Sequence, residues 1–191
     1  MPEQLITRWE TLTLRKLVVA DAGAYATAAA RLVSSPDWHN DFAVYDRLAA
    51  SCPDLNTVEQ DIQNPMSIAE QRFGIWQEDR QERTFVGSAS LMARAAGDEV
   101  SCWIDPRYRN QGYGAVALRG LRDHVLGQGR TPFGRVHATH GFAYTTAKGA
   151  GFVCAPGISQ RNDRFLLFMA NTEDVLPVAG VSWTRAFLAL R

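Results

Sequence analysis

The chain has 191 residues, 20 basic and 20 acidic side chains and a hydrophobic content of 46%, which is enough for a sizeable core. The net charge of zero and the lack of a basic stripe with interleaved aromatic residues argue against nucleic acid as the main partner. No apolar run reaches a membrane-spanning length, residues 1–9 have no signal-peptide core, and the three scattered cysteines suggest no disulfide framework. We therefore expect a cytoplasmic protein without membrane contact.

The N-terminal half of the sequence predicts a strand, two helices and a hairpin. Alternating apolar residues indicate a strand at 11–19, and Asp21 stands where it would cap a helix over 22–33. Thr57, with Gln60 three residues later, has the spacing of a cap for a second helix. The hairpin consists of strand, polar turn and strand, at residues 73–77, 78–83 and 84–92.

The next predicted element is an amphipathic strand at 99–104. Its alternation places two sets of side chains on opposite faces, which are Val100, Cys102 and Ile104 on one and Glu99, Ser101 and Trp103 on the other. One face is therefore apolar and the other mixes polar and aromatic groups.

A glycine-rich turn leads from this strand into a helix. Arg109, Gly112 and Gly114 form the motif R-x-x-G-x-G, and apolar residues then recur every three or four positions until Gly127 and Gly129 end the helix. The first N–H groups of such a helix have no intrahelical partner, and the helix dipole favours an anion beside them. The motif therefore predicts a phosphate-binding site.

Two kinds of phosphate site are compatible with these glycines. Gly112, Gly114 and Ala117 also satisfy the dinucleotide fingerprint G-x-G-x-x-A. A dinucleotide fold needs a continuously apolar parallel strand before the glycines and an acidic residue about 20 positions later. Here the preceding strand is amphipathic and the next predicted strand, at 133–139, carries no carboxylate. We rank a dinucleotide-binding protein below the alternative that follows.

The remaining elements complete an α/β order. They are a strand at 133–139, a short helix near 144–148, and strands near Phe152 and at 164–170. No linker, low-complexity run or internal repeat divides the chain. We therefore predict a single domain over residues 1–191, with a core at 10–170 and a C-terminal extension at 171–191. The apolar residues of the extension are compatible both with packing on the same domain and with a homodimer.

Residues 83–152 resemble the GNAT superfamily of acetyl-CoA-dependent N-acetyltransferases, in particular its ribosomal-protein N-terminal acetyltransferase (RimJ/RimL-like) branch. The motif R-x-x-G-x-G carries most of this resemblance. Residues 99–106 are also similar to that branch's strand before the loop, and residues 148–152 resemble its late helix ending in Gly-Phe. With the strand at 11–19 included, the resemblance covers most of residues 10–170.

The resemblance implies an α/β fold with a mixed, mostly antiparallel sheet, splayed central strands and flanking helices. It also implies acetyl-CoA as co-substrate, with the pantetheine arm between the splayed strands and the pyrophosphate on the glycine turn. The residues implied to bind it are Trp103, Ile104, Arg109, Asn110, Gln111, Gly112, Tyr113, Gly114 and Ala115. We predict no metal, since no third ligand lies near His137 and His140 in the sequence.

Acetyl transfer to an amine needs a base for the ammonium and a donor for the leaving thiolate. Glu99 is the predicted base because it lies on the polar strand face and matches a glutamate common in the similar branch; a surface glutamate paired with an arginine is the equal alternative. The late helix has Ala147 at the family's usual tyrosine position. Tyr144 and His140 are the candidate acids, and a half-buried aromatic and a loop histidine are the alternatives.

Charge is unevenly distributed along the chain. Arginines dominate residues 104–135, which suits a polyphosphate, and acidic side chains dominate residues 37–63, which suits a cationic acceptor. Trp38, His39 and Asp41 are predicted to line the acceptor pocket, with local core packing as the alternative. We predict acetyl transfer to a small cationic amine or a peptide N-terminus by direct attack in a ternary complex. A catalytically silent CoA-binding or regulatory module is the alternative, because the late helix is altered.

Overall fold

Eight strands in the described part of the chain form one mixed sheet with helices on both faces. The computed structural model describes residues 5–9, 12–36, 47–51, 53–64, 69–79, 82–95, 97–137, 140–155 and 165–170. The strands are β1 (Leu5–Trp9), β2 (Leu12–Lys16), β3 (Glu70–Glu78), β4 (Arg83–Arg94), β5 (Gly97–Ile104), β6 (Pro132–His137), β7 (Phe152–Cys154) and β8 (Phe165–Ala170). The helices are α1 (Ala22–Val33), α2 (Arg47–Ala50), α3 (Leu55–Gln63), α4 (Tyr113–Gly127) and α5 (Gly141–Gly149).

The central strands of the sheet separate after a short parallel contact. The strand order is β1-β2-β3-β4-β5-β6-β8-β7, and β5 and β6 form the one parallel pair among the described strands. They pair at two positions, Asp98 with Pro132 and Glu99 with Phe133. Beyond Glu99, β5 stays with β4 as far as Ile104 while β6 stays with β8, so the two strands diverge.

This topology confirms the predicted fold class, a mostly antiparallel mixed sheet with splayed central strands. A doubly wound dinucleotide fold would instead require several parallel strands joined by βαβ crossovers. The described sheet does not have that arrangement.

Most predicted elements are present, and several are longer than expected. The hairpin strands extend by one to three residues at their ends, and the helix after the glycine turn covers Tyr113–Gly127. Strand β1 and the short helix α2 were not predicted. None of the helices in the described ranges is long and apolar enough to cross a membrane.

Both predicted helix caps are wrong in detail. Asp21 occupies the position before α1 but its side chain does not cap the helix. It accepts bonds from Arg15 at 2.9 and 2.5 Å and from the Val18 N–H at 3.0 Å, which ties the end of β2 to the start of α1. Helix α3 begins earlier than predicted, because Asp54 is the cap and accepts from the N–H of Thr57 at 2.7 Å.

The two faces of β5 pack as the alternation predicted. Val100 joins the core formed with Leu121 and Val125 of α4, and Cys102 and Ile104 pack against the same core. On the opposite face, an aromatic cluster joins β3, β4 and β5 to α1 through Tyr25, Trp76, Phe85 and Trp103. The edge-on contacts in that cluster, such as Tyr25 with Trp103 at 5.5 Å, contribute about 0.5–1.5 kcal/mol each beyond the burial of apolar area. The two faces of β5, which borders the gap to β6, therefore lie in different environments.

Candidate active site

A cavity of about 330 Å³ lies where β5 and β6 separate. Its walls are residues 100–104 of β5 and 134–136 of β6, and the start of α4 and one side of α5 complete it. Beyond Glu99, the edge of β5 that faces β6 has no strand partner in the described structure. A ligand lying between the strands would therefore meet the backbone N–H and C=O groups of this edge.

The glycine turn stands at one end of this cavity. Gly112 is the residue before α4 and has φ 79°, a left-handed conformation that favours glycine, and Asn110 precedes it with φ 63°. The first bond of the helix runs from the Val116 N–H to the Gly112 carbonyl at 3.1 Å. The N–H groups of the residues between them have no intrahelical acceptor, and glycine has no side chain with which to cap them. The turn therefore offers several converging donors to an anion.

Gly114 allows α4 to approach its neighbours closely. A Cβ atom at this position would lie 3.2 Å from Cγ2 of Thr146 on α5, 3.7 Å from Cγ1 of Ile104 and 3.8 Å from Sγ of Cys102. The two glycines of the motif therefore have different roles. Gly112 provides the backbone conformation of the turn, and Gly114 allows three elements to meet beside the cavity.

Asp105, which is fully buried, holds the segment between β5 and the turn. It accepts bonds from Arg31 of α1 at 2.9 and 2.5 Å and from Arg107. Burial by itself would raise the pKa of this carboxyl, but the bonds from Arg31 and Arg107 outweigh burial and hold the pKa below its usual range. The carboxylate thus connects the turn to the opposite face of the sheet.

Arg109, the arginine of the motif, lies at the turn and lines the cavity. Its Nε donates to the Ile104 carbonyl at 3.5 Å, and its Nη1 donates to the hydroxyl of Ser35 at 3.3 Å. These bonds hold the guanidinium between the end of β5 and the residues that follow α1, and it adds positive charge to the cavity wall.

Two arginines of α4 fix the position of α5. Arg119 donates to the Gly149 carbonyl and Arg122 to the Ala150 carbonyl, each at 2.8 Å. Positive groups at this end of a helix also interact favourably with its dipole. Because α4 carries the turn and α5 forms another wall of the cavity, these bonds hold the two walls in register.

Eight of the nine residues predicted to bind acetyl-CoA line the cavity. They are Trp103, Ile104, Arg109, Asn110, Gly112, Tyr113, Gly114 and Ala115. Gln111, the ninth, is exposed and is not among the lining residues. The glycine turn and the cavity therefore coincide.

The predicted proton-transfer residues of α5 are separated by the structure. His140 precedes α5 and lines the cavity. Tyr144 does not line it, and its ring packs edge-on against Phe168 at 5.2 Å. Thr146, which the sequence analysis missed, lines the cavity next to the position of Ala147. Its signal in the sequence was a hydroxyl residue one position before the family's usual tyrosine site.

Glu99 lies where β5 and β6 part, held by two arginines. Its Oε1 accepts from Nε of Arg135 at 2.6 Å, and its Oε2 accepts from Nε and Nη2 of Arg94 at 3.2 and 3.1 Å. We refer to Arg94, Glu99 and Arg135 as the arginine–glutamate cluster. This geometry corresponds to the ion-paired alternative, because both carboxylate oxygens of Glu99 accept from guanidinium groups. Its role as a base stays a prediction.

Cys102 lies in the apolar wall of the cavity. Its Sγ donates to the Gly114 carbonyl at 3.7 Å, and burial raises the pKa of the thiol to about 12. A neutral thiol in this position acts as a small apolar side chain, as the sequence analysis expected.

The predicted acceptor residues Trp38, His39 and Asp41 lie outside the described residues. Of the described residues in this part of the chain, Leu32 of α1 and Ala49 of α2 line the cavity. Within the described ranges, no group of three or more His, Cys, Asp or Glu side chains is arranged to hold a metal ion.

Solved structures with the same fold are numerous, and the three that follow are distant in sequence. RimL, a ribosomal L7/L12 α-N-protein acetyltransferase in complex with coenzyme A, superposes with a TM-score of 0.68 at 14% identity, covering 87% of this chain and 97% of its own. The ribosomal-protein-S5-alanine acetyltransferase of Vibrio fischeri gives 0.66 at 14% identity, covering 90% and 98%. A spermidine N-acetyltransferase chimera of Vibrio cholerae SpeG and hSSAT gives 0.64 at 16% identity, covering 88% and 99%. No curated protein sequence is significantly similar to this chain.

The sequence model of the acetyltransferase (GNAT) domain matches residues 11–151, which is most of the chain. The matched region contains β5, the glycine turn, α4 and α5, and so includes the residues that form most of the cavity. The chain belongs to the GNAT acetyltransferase family.

Proposed function

We propose that this protein transfers the acetyl group of acetyl-CoA to a primary amine, by direct attack within a ternary complex. The observation that carries the proposal is the separation of β5 and β6 after Glu99 and Phe133, next to the N-terminus of α4. This arrangement combines a strand edge that has no strand partner in the described structure with an anion site at one end of a single cavity. Coenzyme A has the corresponding parts, an amide-containing pantetheine arm and a pyrophosphate.

The residues present fit such a ligand. The N–H groups at the start of α4 and the guanidinium of Arg109 would bind the pyrophosphate. The open edge of β5 would pair with the pantetheine amides, and its backbone N–H groups near Trp103 and Ile104 would polarise the acetyl carbonyl. When bound, acetyl-CoA supplies a thioester whose carbonyl is open to attack by an amine.

His140 is the side chain we propose for proton transfer. It lines the cavity, and imidazole is the side-chain type that gains and loses a proton near neutral pH. It would take the proton from the attacking amine and return it to the leaving sulfur. The hydroxyl of Thr146, on the same wall, would donate a hydrogen bond to that sulfur. Glu99 would then act as the ion-pair partner of Arg94 and Arg135.

The named activities of the structural neighbours support an amine acceptor. These proteins are named for acetyl transfer to ribosomal proteins and to spermidine, and both kinds of substrate offer a primary amine. The amine is therefore the shared chemistry, and the remainder of the acceptor differs from one relative to another.

A catalytically silent CoA-binding module is the second candidate, because Tyr144 packs on Phe168 and does not line the cavity. The two candidates separate in an assay of CoA release from acetyl-CoA in the presence of primary amines, using peptides with free N-termini and polyamines. We expect release that depends on the amine, with an equal amount of N-acetylated product found by mass spectrometry. Tight acetyl-CoA binding without release for any amine would favour the silent module, and absence of binding would contradict both.

A further inference from the structure

The cavity carries positive charge at two separate places. Its lining within the described residues includes two arginines, Arg109 and Arg135, and neither an aspartate nor a glutamate. Arg109 belongs to the glycine turn and is accounted for by a phosphate group. Arg135 lies on β6, two residues beyond the last pair formed with β5, and so at the point where the cavity begins. No step of the proposed reaction uses Arg135.

Arg135 is held in place by the arginine–glutamate cluster. The Oε1 atom of Glu99 accepts from its Nε, while Arg94 occupies Oε2. Glu99 is shielded, with 13% of its side chain exposed, whereas Arg94 and Arg135 are 41% and 39% exposed. Two guanidinium groups and one carboxylate leave the cluster with a net positive charge, presented mainly by the arginines.

The bond to Glu99 uses one of the five N–H donors of Arg135. None of the described residues accepts a bond from its Nη1 or Nη2. These two terminal nitrogens form a planar fork that matches the two oxygens of a carboxylate. Glu99 therefore orients the guanidinium through Nε and leaves the fork available to a ligand in the cavity.

We propose that Arg135 binds a carboxylate of the acceptor, so that the preferred acceptor is an aminocarboxylate. This class includes a peptide whose N-terminal amine lies close to an acidic side chain, and a small amino acid with a free carboxylate. Arg135 is then a residue that determines the specificity for the acceptor, and Glu99 holds it in place. The inference rests on the proposed function for the identity of the reaction, but it concerns a binding preference that is measured separately.

The same charges disfavour a polyamine acceptor. A second ammonium group would approach Arg135 and Arg94, and the nearest carboxylate, Glu99, already has both oxygens engaged. The described part of the segment predicted to attract a cation has three acidic residues, Asp54, Glu59 and Asp61. Asp54 caps α3 and Asp61 pairs with Arg72, so two of the three have a structural role.

The test uses acceptors that differ only by a carboxylate. The first pair is the amidated peptides Ser-Asp-Ala-Ala and Ser-Asn-Ala-Ala, and the second is β-alanine and β-alaninamide. In whichever of the two pairs serves as the acceptor, we expect kcat/KM to be about tenfold to a hundredfold higher for the acidic member. This is the range of one charge-assisted hydrogen bond. Arg135→Gln should bring the two members within about twofold of each other, without changing the affinity for acetyl-CoA.

Arg94→Gln is the matched control. It removes the same charge from the same partner, Glu99, but Arg94 is not among the residues that line the cavity. We expect this variant to keep the preference for the acidic acceptor. Equal use of both members by the wild-type protein, or a preference that survives Arg135→Gln, would overturn the proposal.

A binding measurement separates this proposal from the proposed function. The four acceptors are titrated by calorimetry into the wild-type protein and Arg135→Gln, with and without CoA. Binding of the acidic members alone, lost in Arg135→Gln, would support the carboxylate site even if no acetyl transfer occurred. Failure to bind any member, or equal binding of both, would overturn it even if transfer to other amines were observed.

Discussion

The two positively charged places in the cavity are built in different ways. The glycine turn is local, since its donors are consecutive backbone groups and its arginine lies three residues before Gly112. The arginine–glutamate cluster is not local, because Glu99 reaches partners 5 and 36 positions away in the sequence. A site made by consecutive residues leaves a motif, whereas a site made by side chains from three strands leaves none.

This difference separates two kinds of chemistry. Backbone donors at a helix N-terminus bind any suitable anion and suit the part of the substrate that never changes. A side chain held by an ion pair can be altered by one substitution and suits the part that sets acceptor choice. We expect the glycine turn and the arginine–glutamate cluster to act independently, so that a variant of one leaves the function of the other unchanged.

The largest effect is expected at His140, which lines the cavity but belongs to neither of the two positively charged places. His140→Gln should lower kcat by about a hundredfold, the lower range for loss of a proton-transfer residue, and leave KM for acetyl-CoA nearly unchanged. Steady-state CoA release with a saturating amine measures both constants. A loss that disappears at high pH, where the amine is already neutral, would assign His140 to deprotonation.

Two further variants serve as controls for this prediction. His137→Gln changes a histidine on β6 that does not line the cavity, and it should keep wild-type kcat. Glu99→Gln should mainly reduce the preference for acidic acceptors, because Arg135 loses the carboxylate that orients its guanidinium. If Glu99→Gln instead lowered kcat for every acceptor as much as His140→Gln, Glu99 would be the base.

The second prediction concerns the support of the glycine turn. Asp105→Asn should reduce the free energy of unfolding by about 2–3 kcal/mol at pH 7, because a buried carboxylate that accepts from Arg31 and Arg107 is lost. Urea unfolding of both proteins measures the difference. The acceptor preference should be unchanged, since Asp105 does not touch the arginine–glutamate cluster.

The pH dependence of this difference has a defined sign. A carboxyl with a lower pKa in the folded than in the unfolded protein adds stability above its ordinary pKa of 3.8, and this stability is lost as the pH falls through the folded-state pKa. The gap between the wild-type protein and Asp105→Asn should therefore narrow below pH 3.8. A gap of constant size from pH 7 to the acid limit would contradict the account of Asp105.

A smaller effect is expected at Gly114. Gly114→Val would place atoms against Thr146 and Ile104, where a Cβ already lies at 3.2 and 3.7 Å. The helix should shift slightly, at a cost of about 1–2 kcal/mol in stability and about a tenfold loss of acetyl-CoA affinity. Gly127→Val, at the other end of α4, meets open space and should retain that affinity. Equal losses in the two variants would show that helix propensity is the cause.

Sequence reasoning succeeded where local patterns decide the structure. The alternation in β5 placed Val100 and Trp103 on the correct faces, and the glycine motif located the start of α4 and the mouth of the cavity. It failed where a side chain had a more distant partner available. Asp21 has the sequence position of a cap, but Arg15 lies across the bend and provides a stronger, charged partner.

The same limit explains the site. Tyr144 has the correct spacing to approach the cavity, but its orientation depends on packing against Phe168 of β8. Arg135 was not singled out, because nothing in its neighbourhood distinguishes it from an ordinary strand residue. Thr146 was missed although its hydroxyl lies one position before the family's usual tyrosine site. Their positions follow from the separation of β5 and β6, which is a property of the whole sheet.

The central claim, that the glycine turn binds acetyl-CoA, is tested most directly by calorimetric titration of acetyl-CoA into the wild-type protein, Gly112→Trp and Gly129→Trp. Both glycines have positive φ, 79° and 69°, and open space at the Cβ position, so the two variants carry similar backbone strain. We predict a loss of about a hundredfold in affinity for Gly112→Trp, which covers the N–H donors of α4, and near wild-type affinity for Gly129→Trp. Equal affinities in all three proteins would contradict the account.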